Sequence, residues 1–180
     1  MTYRRGDVEL AYDVQVPVGA FFGVGVAGYG SGTDFRVLDR MGLADPFTAH
    51  LETTDYWKTQ PRGPGHEKPL PSPWLAARLT APGTTPNRDQ FPDFGNPLIP
   101  VTVGREFQEQ VVWARSALKC DEINDLMEAA NARMTPRRFA RNFLDSLHNT
   151  RLRIPPDPEE AYHRFCGPGV PDEVRALREE

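Results

Sequence analysis

The chain has 180 residues, 39% of them hydrophobic, and a formal net charge of -4 at pH 7. This fits one domain of ordinary size and excludes a surface built throughout to attract nucleic acid. The 18 prolines and 15 glycines exceed ordinary usage, so part of the length is withheld from a packed core, and the two cysteines do not make a disulfide framework.

At the N-terminus, Arg4 and Arg5 are followed by Asp7, Glu9 and Asp13. Acids at those positions read as neither a secretory leader nor a transit peptide. Val8, Leu10, Tyr12, Val14, Val16 and Val18 alternate with Glu9, Ala11, Asp13, Gln15 and Pro17. Period two over this stretch predicts a half-buried strand, ending or at an edge by Pro17.

Val14 to Thr33 carries no charge, and three readings compete for it. Gly23, Gly25 and Gly28 match the G-x-G-x-x-G dinucleotide fingerprint. That chemistry needs a helix directly after the glycines to hold the pyrophosphate, and Gly30-Ser31-Gly32 prolongs the break instead. As a membrane span over 14–33 the run is just long enough, with Gly19, Gly23 and Ala27 as a close-approach face. The favoured reading is a soluble strand, turn and strand.

Asp45-Pro46 predicts a helix start, with Asp45 as cap and Pro46 at the first position. His50 lies beyond it as a surface or hydrogen-bonded histidine. Between residues 61 and 100 there are 10 prolines, interspersed with Trp74, Leu75, Phe91, Phe94, Leu98 and Ile99. Only Pro73 to Thr80 fits a short helix. The rest reads as an extended arm whose apolar side chains, Trp74, Leu75, Phe91 and Phe94 foremost, plug into a partner's surface.

Arg105 to Arg133 has few helix breakers and two neighbouring apolar faces, one through Phe107, Val111, Ala114 and Leu118, the other through Trp113, Ala117 and Cys120. Thr135-Pro136 starts a second helix, with Phe139, Phe143 and Leu147 on its inner side together with Ala140 and Leu144. Asp157-Pro158-Glu159-Glu160 starts a third, which Gly167 ends, and Pro171 to Arg178 adds a last turn or two.

Candidate chemistry is thin. Arg137 and Arg141, with Arg133, Arg138, Arg151 and Arg153, form a stripe that fits phosphates or lipid headgroups, or salt bridges to a neighbour. Cys120, His163 and Cys166, with His148, are the only zinc candidates, and only His163 and Cys166 have the close spacing of a ligand pair. A Cys120–Cys166 bridge would pin the third helix to the first, and two buried thiols are the default reading. Ser31, Ser116 and Ser146 lack the flanks of a nucleophile elbow.

These observations give a mainly α protein with a small β and glycine-rich N-terminal segment (1–60), an extended Pro-rich arm (61–103) and a C-terminal antiparallel helical unit (104–180). The function they favour is a non-catalytic accessory or scaffolding subunit of a large assembly. Its partners would be other protein subunits, with a lipid contact through 14–33 and without nucleic acid or cofactor. The compartment that suits it best is a mitochondrial inner-membrane complex, and otherwise the cytoplasm. The alternative is a small soluble nucleotide-binding enzyme using Gly23 to Gly28.

Overall fold

The computed structural model describes residues 18–21, 29–30, 36–39, 42, 44–53, 68, 70–80, 104–131 and 134–179. The protein is mainly helical with a small β segment. The described elements, in order, are β1 (Val18–Phe21), β2 (Arg36–Asp39), α1 (Pro46–His50), α2 (Ser72–Leu79), α3 (Gly104–Ala117), α4 (Asp121–Asn131), α5 (Pro136–Asn149), α6 (Pro158–Phe165) and α7 (Asp172–Glu179).

β1 and β2 pair in parallel, Val18 opposite Arg36 through Phe21 opposite Asp39. A parallel pair needs a crossover connection, and the strand that pairs with β1 lies beyond the stretch 14–33 in which the sequence suggested a strand, turn and strand. Residues 18–21 form a strand at a place where the membrane reading requires helix. Among the described residues, no helix is long and apolar enough to cross a membrane. Gly23, Gly25 and Gly28 lie outside the described residues, as does the strand predicted from Val8 except for its last residue, Val18.

α2 is the centre of the core, and every residue from Ser72 to Leu79 is buried. Trp74 is fully enclosed, its ring centroid 4.7 Å from that of Phe47, and its indole nitrogen donates to the Pro156 carbonyl at 2.8 Å. That bond satisfies the one polar atom of an otherwise apolar side chain. Trp74 and Leu75 therefore fill the chain's own interior and are unavailable to a partner, in contrast to the arm reading. A helix of Trp, Leu and Ala with no solvated side belongs inside a domain. Phe91, Phe94 and the remainder of 81–103 lie outside the described residues.

α3 packs between α2 and α6. Phe107, Val111 and Ala114 reach the core from one side, and Trp113 and Ala117 are buried from the next, so both predicted apolar faces are used. The single long helix expected from 105 to 133 is two. Between them Lys119 donates to Ser116 O at 3.1 Å and Cys120 to Ala117 O at 3.1 Å. These three-residue bonds tighten the chain and end α3 without glycine or proline. Downstream, Leu51 and Ile154 form an isolated parallel bridge: Glu52 donates to Ile154 O and Ile154 to His50 O, each at 2.8 Å.

The helix starts follow local chemistry. Asp45 caps α1 by accepting from the Thr48 amide at 2.8 Å. Asp157 caps α6 by accepting from the Glu160 amide at 2.8 Å. The Thr135 hydroxyl accepts from the Arg138 amide at 3.2 Å. Each satisfies a backbone donor that the helix cannot.

Candidate functional site

Two groups of polar side chains stand out, one buried and one open. The buried group is centred on Asp45. Having capped α1, its carboxylate also accepts from both terminal nitrogens of Arg78 at 2.7 Å and from the Thr48 hydroxyl at 2.6 Å. Asp45 and Arg78 are 4% and 5% exposed. Burial pushes the Asp45 carboxyl upward, but the charge and hydrogen bonds of Arg78, with those of Thr48, outweigh it and hold the group below its ordinary value. The Arg78 guanidinium also sits over the Phe47 ring, 5.2 Å from its centroid. Two residues on, the Thr80 hydroxyl donates to Ala76 O and accepts from Arg115 at 2.5 Å. The pair is closed to solvent and bonded face to face, so it ties α1 to α2.

The open group lies between α4 and α5, around a cleft of about 180 Å³. Glu122, Asp125 and Glu128 line one wall, and Arg138, Arg141, Asn142, Asp145 and Asn149 the other. Arg141 reaches Asp145 at 3.4 Å and Asp125 at 3.9 Å, and Arg138 reaches Glu128 at 3.9 Å. Asn142 donates to the Ala129 carbonyl at 2.9 Å, which fixes its amide and leaves its oxygen free to accept. Exposed ion pairs of this length hold little energy and exchange readily for other partners. The wall thus offers guanidinium and amide donors beside carboxylate acceptors, a set suited to a ligand rich in hydroxyls. Arg141 belongs to this wall. Arg137, its companion in the predicted stripe, is exposed on the border of the opposite side of α5.

The zinc reading of Cys120, His163 and Cys166 fails because the two cysteines form a disulfide, Cα atoms 5.2 Å apart, linking the α3–α4 corner to the end of α6. A sulfur committed to a disulfide is not a thiolate ligand. His163 instead packs its ring 5.3 Å from that of Trp113. Among the described residues no group of three or more His, Cys, Asp or Glu is placed to hold a metal ion. His50 holds carbonyls at both ring nitrogens, Pro46 O at 2.5 Å and Asn149 O at 2.9 Å, and so joins α1 to the end of α5. Ser116 is buried in α3, and Ser146 donates to Phe143 O within its own helix.

The second helix departs most from expectation. Phe139, Phe143 and Leu144 are 63%, 70% and 72% exposed and do not line an inner side. The cleft residues Asp125, Asn142 and Asp145 escaped notice in the sequence. The available signal was spacing: 122, 125 and 128 fall three apart on α4, and Arg141 and Asp145 four apart on α5. For the buried pair it was a lone arginine in the apolar run Trp74 to Leu79.

Comparison with known proteins supplies the family. Residues 3–164 match the model of the AftB family C-terminal domain. The chain is 32% identical over 152 residues to the terminal beta-(1->2)-arabinofuranosyltransferase of Mycobacterium tuberculosis, a match covering 84% of this chain and 21% of that protein. No solved structure matches. These findings overturn the non-catalytic accessory subunit and the mitochondrial complex, because the likeness is to part of a glycosyltransferase. An extended, proline-rich sequence with no assembled catalytic motif describes a piece of an enzyme as well as it describes a scaffold. With 162 of its 180 residues inside the match, the chain belongs to the AftB C-terminal domain family.

Proposed function

We propose that this chain serves as the C-terminal part of an arabinofuranosyltransferase that adds a terminal β-(1→2)-linked residue, and that the α4–α5 cleft holds part of the sugar chain being extended. The observation that carries the reading is the match over residues 3–164 together with the 32% identity to such an enzyme. The cleft supports it chemically. A furanosyl residue presents hydroxyls that both donate and accept, and Arg141, Asn142 and Asp145 offer both kinds of partner within one wall. The Cys120–Cys166 bridge supports a domain that works in an oxidising compartment, where such bonds persist.

The test is to titrate an arabinofuranosyl oligosaccharide into the 180-residue chain and follow backbone amide resonances. Shifts confined to α4 and α5, weakened about tenfold by Asp145→Ala through loss of a hydrogen bond to a hydroxyl, are the expected result. A sugar that shifts no amide, or shifts only residues far from the cleft, removes the cleft from the reading.

A further inference from the structure

α5 is amphipathic with its two sides reversed. At 3.6 residues per turn, Arg138, Asn142, Asp145 and Asn149 fall on one side, and that side faces α4 across the cleft. Phe139, Phe143 and Leu144 fall on the other and are 63%, 70% and 72% exposed, with Met134 at 56% just before the helix. Single exposed apolar residues are ordinary, but Phe139 and Phe143 one turn apart with Leu144 beside them make a contiguous apolar patch, and such a patch marks a binding surface. What edges this surface indicates what covers it. Arg137 is exposed along its border, and exposed Arg151 follows the helix. The acids Asp125 and Asp145 sit on the cleft side, engaged with Arg141.

An apolar stripe edged by guanidiniums is complementary to an anionic bilayer surface. There aromatic and aliphatic side chains enter the acyl boundary while the cations meet headgroups. We propose that α5 lies in the plane of a membrane and docks this domain onto anionic lipid through Phe139, Phe143 and Leu144, with Arg137 on the headgroups. The inference is independent of sugar transfer and of the cleft, since it uses the opposite side of the helix.

The experiment is co-sedimentation of the 180-residue chain with phosphatidylcholine vesicles and with vesicles of equal phosphatidylcholine and phosphatidylglycerol. The chain is expected to partition at least tenfold more strongly onto the anionic vesicles, and less as salt screens the headgroups. Phe143→Ser should weaken that binding about tenfold by removing a buried aromatic ring, and Arg137→Gln about fivefold by removing one headgroup contact. Both positions are exposed, so far-UV circular dichroism should be unchanged in the variants. Failure to bind anionic vesicles overturns the proposal, as does equal binding to both vesicle types. So does binding that Phe143→Ser leaves intact. Dimerisation without lipid that Phe143→Ser abolishes would put a second copy on the stripe, and would overturn it equally.

Discussion

Cutting the Cys120–Cys166 bridge is the perturbation whose size follows most directly from the structure. The bonded residues are 46 apart in sequence, and the loop between them spans α4, α5 and all of α6. In the chain-entropy treatment, closing a loop of that length lowers the free energy of folding by about 4 kcal/mol, because it withdraws conformations from the unfolded chain. For a domain of this size that corresponds to a fall in Tm of about 10 °C on reduction. The folded state should change little. α6 keeps its place without the bridge because Ala161 is fully buried, Tyr162 meets Trp113 edge-on at 5.2 Å, and Arg164 bonds to Glu160 at 2.7 Å and to Glu52 at 2.5 Å. Urea unfolding of the oxidised protein, the reduced protein and the Cys166→Ala variant would measure this. The last two should coincide, with a lower midpoint and a steeper denaturant dependence, since an uncrosslinked chain exposes more surface on unfolding. Hydrogen exchange should show α6 amides still protected after reduction. A Tm shift under about 3 °C, smaller than about 1 kcal/mol would give, refutes the loop-entropy reasoning. Selective loss of protection in α6 would show that the bridge holds one helix in place and does not constrain the unfolded chain.

Three further outcomes concern the buried network and one glycine. Asp45→Ala should destabilise the domain by about 3–5 kcal/mol, because it leaves Arg78 charged and enclosed without its partner, whereas Asp45→Ala with Arg78→Met should recover much of the loss; equal losses in the single and double variants would show that the ion pair itself is not the source. Because the Asp45 carboxyl is held below its ordinary value of 3.8, its contribution is complete above that pH and is lost as pH falls toward its folded value. An acid-unfolding curve of Asp45→Asn should therefore flatten below about pH 4, the ordinary carboxylate range. Gly42 has φ +83°, and a Cβ there would lie 3.1 Å from Lys68 Cβ, 3.2 Å from Lys68 O and 3.3 Å from Thr48 O. Gly42→Ala should then cost about 1–2 kcal/mol in denaturant titration, from the left-handed backbone and the crowded carbonyls together. An unchanged midpoint would show that the loop yields freely.

The sequence by itself determined where several helices begin and the overall class. Asp45-Pro46, Thr135-Pro136 and Asp157-Pro158 each combine a side-chain acceptor with a residue lacking an amide proton, and the backbone beside them obeys that chemistry whatever surrounds it. The cleft was only faintly legible, as charge spacing on two helices whose contact is not written in either. The tertiary structure alone decided which apolar faces are covered. Periodicity shows that α2 and α5 each carry apolar side chains, but not that Trp74 ends in the core while Phe143 ends in solvent. Nor does spacing bring Cys120 to Cys166, or Asp45 to Arg78 33 residues away. Those meetings depend on how the helices stack. Stacking is set by the burial of many side chains at once, a sum over distant residues that no local stretch contains.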